Sequence, residues 1–384
     1  MIICRIATIP FFVMTHMRGQ IEATVDAGHQ VIIMTRDEGD IRAFCQEVGA
    51  RFQPIHVARE ISLWRDMAAL AQLIHFLMFN RVSVLHSVTP KAGFLAAIAG
   101  FFTWTPVRLH TFTGQRWATL GGLKRQLLKL CDWLVVKLNT CCYADSFSQA
   151  AMLENHGIAG SGQIRVLGEG SFGGVDLSRF NTETWRGREA EVRGELELPP
   201  YARCMVFVGR VHRDKGIREL DIAFDKLARW CSSLHLVIVG MVEEHPDPAF
   251  EAALLSLKRH PQVRMVGYDP APERFLAVSE LLVMPSYREG FGNVVIEAAA
   301  MGTPTVGSCI PGLMDSVKDG ETGVLTPMHD AKALRKALAK VLGDSELQQR
   351  LGEAAQKRAR EVFAMEHINA LIIQDYNQKW MKSL

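Results

Sequence analysis

Two short stretches carry the side chains most able to do chemistry. In Gly209-Arg210-Val211-His212-Arg213-Asp214-Lys215-Gly216, an arginine and a lysine flank a loop between an apolar run and a helical pattern at 217–227. Two cations beside a glycine turn and a helix start can neutralise a diphosphate, Arg210 through bidentate bonds and Lys215 as a point charge. In the second stretch, 287–302, Glu289-Gly290-Phe291-Gly292 leads into a helix rich in Val, Ile and Ala, and Glu297 follows eight positions after Glu289. Glycines let backbone approach a ligand, N–H groups at a helix start favour negative charge, and carboxylates accept hydrogen bonds from hydroxyls. The two stretches together suit a ligand with both phosphates and sugar hydroxyls. A solvated basic loop, and a turn with two solvated glutamates, are the alternatives for each stretch alone.

The surrounding pattern supplies elements to position them. The first half alternates strand-like runs at 2–8, 30–35, 83–86, 107–111 and 143–144 with helical periodicity at 19–27, 41–49, 61–79 and 91–100. Such alternation implies βαβ units and a parallel sheet whose ligands sit at the carboxyl ends of the strands. The loops expected to reach a ligand are therefore 10–18, 87–91 and 110–117. Periodicity stops over 181–198, a mixed-charge stretch ending in Pro199-Pro200, and a second series follows at 204–208, 235–239, 263–265, 281–284, 304–306 and 323–325. Helices are expected at 331–342 and 345–362, and 366–384 carries apolar residues at helical spacing. The expectation is an α/β protein of two Rossmann-like domains facing across a cleft, at 1–182 and 183–365. A C-terminal helix, 366–384, crosses back onto the N-terminal domain.

Bulk properties agree with this and narrow the classes. A chain of 384 residues exceeds what one hydrophobic core usually serves, and 48% hydrophobic with 22% charged residues is ordinary globular composition. A net charge of +2 gives no support to nucleic-acid binding. The eight cysteines are scattered without paired C-x-x-C spacing, which argues against a zinc site and for free thiols in a reducing compartment. The apolar stretch 92–104 is interrupted by Gly93, Gly100 and Thr103, falls short of the roughly 20 residues needed to span a bilayer, and reads as a buried helix. The N-terminus reads as a first strand rather than a signal peptide, so a cytoplasmic location is expected.

In order and spacing, Gly209-Arg210 with Asp214-Lys215-Gly216, Pro285-Ser286 with Glu289-Gly290-Phe291-Gly292 and Glu297-Ala298, Gly302-Thr303-Pro304-Thr305, and Asp319-Gly320-Glu321-Thr322-Gly323-Val324-Leu325 resemble retaining glycosyltransferases of family 4, fold GT-B. The resemblance covers the whole second half. In the more divergent first half, His86-Ser87-Val88-Thr89-Pro90-Lys91-Ala92-Gly93 and 170–176 with Phe180 resemble the branch that builds capsule, O-antigen and related bacterial polysaccharides on a lipid carrier. Gly173 departs from the asparagine often found there.

What the resemblance implies is a sugar transfer with retention from a nucleotide-sugar, most simply a UDP-sugar, to a glycan on a lipid diphosphate. Arg210 and Lys215 would grip the donor diphosphate, Glu289 would contact the transferred sugar, and Gly290, Phe291, Gly292 and Asn293 would meet sugar or phosphate. Glu297 would hold the ribose and main chain near Tyr268 the base. His110, at a strand end, is expected near a sugar hydroxyl, with a satisfied core histidine as the competing view. His16, Arg18 and Lys91 are expected on the acceptor side, where loop solvation is the alternative for the first two, and His86 is expected to be structural. No cofactor is expected and, with no Asp-x-Asp pair to bind one, no metal. The basic amphipathic pattern of 120–138, with Trp133 as an anchor, suits either the inner face of the cytoplasmic membrane or ordinary packing on the sheet. A nucleotide-sugar epimerase, an inverting transferase of the same fold and a non-catalytic nucleotide-sugar-binding protein remain the rival functions.

Overall fold

A computed structural model describes residues 1–58, 62–243 and 246–383. The expected helix at 61–79 begins, and the expected segment 366–384 ends, on positions outside them. Two compact units result, one of Met1–Gly174 with Met365–Leu384 and one of Val175–Ala364.

The first unit holds a parallel sheet of β1 (Ile2–Ile6), β2 (Gln30–Thr35), β3 (Arg51–Pro54), β4 (Val84–Val88), β5 (Val107–Phe112), β6 (Cys141–Ala144) and β7 (Ile164–Arg165). The strands lie in the order β3-β2-β1-β4-β5-β6-β7. β3 and β7 lie outside the expected strands. β7 is two residues long, and β3, Arg-Phe-Gln-Pro, has no apolar run and tolerates its proline because it is an edge strand. The helices of this unit are α1 (Pro10–His16), α2 (Arg18–Asp26), α3 (Ile41–Glu47), α4 (Leu63–Phe79), α5 (Pro90–Phe102), α6 (Gly122–Leu138) and α7 (Phe147–Asn155). The region 10–18, expected as a loop, is therefore largely helical. Pro10 occupies the first turn, where its missing N–H costs nothing, and Val13 and Met17 are buried one turn apart.

The second unit continues with α8 (Thr182–Trp185), α9 (Glu189–Glu195), α10 (Ile217–Ala228), α11 (Pro248–Arg259), α12 (Glu273–Ala277), α13 (Asn293–Ala300), α14 (Leu313–Ser316), α15 (Ala331–Gly343) and α16 (Ser345–Val362). Its parallel sheet contains β8 (Arg203–Val208), β9 (Leu234–Val239), β10 (Val263–Gly267), β11 (Leu281–Met284), β12 (Thr305–Ser308) and β13 (Gly323–Thr326), in the order β10-β9-β8-β11-β12-β13. The change of unit falls at Gly174/Val175 rather than after 182. The reason is packing: Val175 and Phe180 are buried in the same core as Phe275 and Phe363, and the Val175 N–H donates to the Phe363 carbonyl at 2.8 Å. The stretch 181–198 belongs to this core too, through Val192, Leu196 and Leu198.

The last helix, α17 (Met365–Ser383), packs on the first unit, as its apolar spacing suggests. Its Tyr376 hydroxyl lies 2.6 Å from His86 Nδ1 and accepts from Arg5 at 2.9 Å, while the other ring nitrogen of His86 meets Thr111 Oγ1 at 2.8 Å. Tyr143 donates to Asp375, which also pairs with Arg165 at 2.9 Å. His86 thus acts as a buried strut between sheet and helix, and burial holds its imidazole neutral.

In both sheets the strand order reverses once, between β1 and β4 and between β8 and β11. Loops leaving such neighbouring strand ends in opposite directions open a crevice, the ordinary ligand position in an open α/β sheet.

Candidate functional site

In the second unit the two chemistry-bearing stretches leave those adjacent strands, Arg210–Lys215 after β8 and Glu289 after β11. Lys215 Nζ donates to Glu289 Oε1 at 2.5 Å, and both side chains are mostly buried, at 17% and 12% exposure. Neighbouring residues stitch the loops together. The Arg288 guanidinium donates to Asp214 at 2.7 Å, the Tyr287 N–H donates to the Asp214 carbonyl at 2.8 Å, and the Tyr287 hydroxyl donates to buried Glu219 in the first turn of α10. Burial pushes the Asp214 carboxyl up, but Arg288 outweighs it and holds the group below its ordinary range. Gly216 lies at φ +68° where an added Cβ would stand 2.0 Å from the Pro285 carbonyl oxygen, so only glycine permits this approach. Arg210 does not join the Lys215–Glu289 pair. Its guanidinium is half exposed and donates to Glu243 at 2.8 Å. Asp214, though part of the quoted motif, and Arg288 were given no role from the sequence, although each immediately precedes a selected residue and they carry opposite charges.

The Glu289 turn is supported from below. Gly292 caps α13, so the first N–H groups of that helix belong to Asn293 and its neighbours. A Cβ on Gly312 would stand 2.8 Å from the Gly290 carbonyl oxygen, which brings the loop after β12 under the turn. The Phe291 ring is core, 5.2 Å from Phe363, leaving only its backbone for a ligand. One turn into the helix, Glu297 is partly buried, and its carboxyl is pushed up to about 7. Burial is the main cause; Arg179 opposes it and the Glu273 charge adds to it. Tyr268, directly after β10, is half exposed.

In the first unit His110 is buried at the end of β5 with Nδ1 2.9 Å from Ser87 Oγ. A Cβ on Gly93 would meet its ring at 2.3 Å, so that glycine makes room for the imidazole. The ring borders a pocket shared with Thr89, Thr113, Gln115 and Trp117. Burial depresses the His110 pKa to about 3, against a small opposing effect of Ser87. His110 is therefore expected to stay neutral from pH 8 to pH 5. Ring ¹H–¹⁵N spectra should show one neutral tautomer throughout, and a transition near 6.5 would contradict the site.

Of the three acceptor-side candidates, two are ion-paired within the first unit. Arg18 opens α2, pairs with Glu47 at 2.7 Å and Glu22 at 3.1 Å, and stacks on Phe44. Lys91 lies in the first turn of α5 and pairs with Asp66 at 2.6 Å. Both cations are thus held by carboxylates of their own unit. His16 is exposed at the end of α1 beside Phe12. A Cβ at Gly173 would stand 3.4 Å from the His16 carbonyl, an ordinary contact, so the absent asparagine side chain reflects no steric demand at its Cβ. Among the described residues no cluster of three His, Cys, Asp or Glu side chains could hold a metal ion.

Two such parallel sheets with a switch-point site in the second define the GT-B class of nucleotide-sugar enzymes. The computed structure superposes on sucrose-phosphate synthase from Thermosynechococcus elongatus with a TM-score of 0.79 at 21% identity, covering 99% of each chain. It superposes on Anabaena Alr3699/HepE, solved with UDP and glucose, with a TM-score of 0.80 at 17% identity, covering 98% of this chain and 100% of that one. A model of the glycosyl transferase 4-like domain matches residues 13–170, and one of glycosyl transferases group 1 matches 189–358. The capsular polysaccharide biosynthesis glycosyltransferase CapM of Staphylococcus aureus is 30% identical over 352 residues, 92% of this chain and 90% of that protein. The D-inositol 3-phosphate glycosyltransferase of Corynebacterium efficiens is 30% identical over 60% of this chain and 55% of its own length. The chain belongs to glycosyltransferase family 4 and is a retaining glycosyltransferase, which sets aside the epimerase, inverting and non-catalytic alternatives.

Proposed function

We propose that the enzyme transfers a hexose from a UDP-sugar to a glycan carried on a lipid diphosphate, in the synthesis of a bacterial surface polysaccharide such as capsule or O-antigen. It would act in the cytoplasm as a peripheral protein of the inner membrane face. The Lys215–Glu289 pair at the β8/β11 switch point carries this reading, because it sets a diphosphate-binding cation directly against a hydroxyl acceptor. Two similar proteins support it: CapM by its capsular role and Alr3699/HepE by its UDP and glucose.

In this reading Arg210, Lys215 and the start of α13 stabilise charge on the departing diphosphate, the main catalytic contribution when no protein nucleophile is used. These groups take the place of a metal ion. Glu289 orients the transferred sugar, Glu297 accepts from the ribose hydroxyls, main chain at Tyr268 receives the base, and the neutral His110 ring meets a sugar hydroxyl. The leaving phosphate itself helps to deprotonate the acceptor on the same face of the sugar. The deciding experiment is thermal stabilisation by a panel of UDP-, GDP- and dTDP-sugars, followed by anomer analysis of the product. Stabilisation by a GDP-sugar alone would overturn the nucleotide assignment.

Glu297 also sets a pH dependence. With a pKa near 7, about a tenth of it is ionised at pH 6 and about nine-tenths at pH 8. In the folded protein this raised value makes ionisation unfavourable, so its contribution to stability falls as pH rises from its ordinary 4.5 through 7. If the carboxylate is the acceptor for ribose, UDP should bind up to about tenfold more tightly at pH 8 than at pH 6. Glu297→Gln should remove that component while leaving the titration of UDP itself. Parallel calorimetric profiles for the two proteins would reject the ribose assignment.

A further inference from the structure

The enzyme exposes large apolar side chains very unevenly. Thirteen of the twenty-five that are exposed among the described residues fall between 63 and 133, on or beside three neighbouring helices of the first unit. Helix α5 packs between α4 and α6, with Leu95 and Ala96 meeting Leu73 of α4 over one half of the sheet and Ala97 meeting Val135 of α6 over the other. The outer surface of this layer is apolar along its length. On α4 the exposed stripe is Trp64, Met67, Ala71, His75, Met78 and Phe79, at the three-and-four spacing of a single helix face. Phe101 and Phe102 end α5, with Trp104 just beyond at 87% exposure. Helix α6 adds Leu123, Leu127, Leu130 and Trp133, of which Leu123 is 89% exposed.

Charge on the same stretch is one-sided. Residues 62–140 contain nine lysines and arginines against two acidic residues, although the whole chain carries only +2. Neither acid offers a free carboxylate to solvent. Asp66 is paired with Lys91, and Asp132 is buried and accepts from the Trp117 indole at 2.7 Å. Arg65, Arg81, Lys124 and Lys137 are exposed around the apolar surface, and the Lys137 ammonium lies 5.9 Å from the centre of the Trp133 ring. A protein interface core is usually depleted of lysine, whereas tryptophan among cations with no free acid matches the headgroup level of an anionic bilayer. Among the described residues no helix is long and apolar enough to cross a membrane, so the layer would lie on the surface.

We propose that the outer face of the whole α4–α5–α6 layer, and not α6 alone, docks on an anionic phospholipid surface. Trp64, Met67, Phe102, Trp104 and Leu127 enter the acyl boundary, and the surrounding cations meet the headgroups. The proposal rests on the reading of the acceptor as lipid-borne, and it assigns the contact to helices that a search for basic amphipathic segments passes over, since α4 and α5 carry their cations only near their ends.

The test is sedimentation of the full-length protein with phosphatidylcholine vesicles, with and without phosphatidylglycerol. Wild type should partition at least about tenfold more strongly onto the anionic vesicles, and salt should weaken that preference. The pairs Trp64→Glu/Met67→Glu on α4, Phe102→Glu/Trp104→Glu beyond α5 and Leu127→Glu/Leu130→Glu on α6 should each lower partition about tenfold. Their melting temperature, and their transfer to a detergent-dispersed acceptor, should stay as in wild type. Loss of binding only in the α6 pair would overturn the three-helix surface and leave a single-helix contact. A wild-type protein that transfers sugar in detergent but ignores both vesicles would overturn the docking proposal without touching the catalytic reading. A concentration-dependent dimer that the same variants dissociate, without vesicle binding, would give the face to a second copy of the chain. Vesicle binding without any transfer would instead count against the proposed reaction.

Discussion

Replacing Lys215 by alanine should lower transfer from a UDP-sugar by about three orders of magnitude while the protein stays folded. Removing one preorganised donor from a site of developing negative charge typically costs about 10²–10³ in rate. A second loss adds to this here. The Lys215 ammonium is 2.5 Å from Glu289 with both groups largely buried, so its removal leaves a carboxylate without its partner beside the incoming diphosphate. Repulsion should therefore weaken donor binding as well as slow the chemistry. Lys215→Ala/Glu289→Gln separates the two effects: UDP affinity should recover toward wild type while kcat stays low. Arg210→Ala should be milder, because its half-exposed guanidinium is shared with Glu243. Steady-state kinetics with thermal denaturation of each variant provides the check, and near-normal kcat/KM in Lys215→Ala would reject the diphosphate assignment.

Gly216→Ala should damage the same site through the backbone. A left-handed conformation costs a residue with a Cβ about 1–2 kcal/mol, and pressing a methyl group into packed structure costs about 1–3 kcal/mol more. At Gly216 both apply, since φ is +68° and the new carbon would stand 2.0 Å from the Pro285 carbonyl oxygen. That oxygen belongs to the backbone just past β11 and cannot rotate away as a side-chain end would. Either the loop after β8 or the chain leading to Glu289 must shift, so a loss of about 2–5 kcal/mol is expected, with weaker UDP binding in the fraction that folds. Gly320→Ala is the matched control. Its φ is +75° but nothing lies within 4 Å of the added carbon, so only the conformational cost remains. Equal melting temperatures for the two variants would show that the β8 and β11 loops do not meet as described.

Much of the second unit's site was legible because its parts are local. Strand, glycine turn and helix start are contiguous in 281–302 and in 204–217, and local sterics and hydrogen bonding shape each one. The first unit was harder to read. Pro10–His16 looked like a loop because about two helical turns with two buried residues hardly differ from an apolar loop, and β3 has no apolar run to mark it. The ion pairs of Arg18 and Lys91 could not be read because their partners Glu47 and Asp66 lie 29 and 25 positions away. The Gly174/Val175 boundary was hidden for a similar reason: what matters is which core buries Val175 and Phe180, and neither residue announces that.

By itself, then, the chain's sequence determined the alternation of strands and helices, the return of its last helix to the first unit and the identity of the cations and carboxylates in the second, since local periodicity and spacing encode all of these. Tertiary structure alone decided their pairing. Lys215 meets Glu289 across 74 positions of chain because the strand order places β8 beside β11, and Arg210 turns to Glu243 because β9, the strand before Glu243, lies on the other side of β8. It also decided which side of α4 the sheet covers. That helix is apolar on most of its circumference, so spacing could not say that Trp64, Met67, Met78 and Phe79 would remain outside.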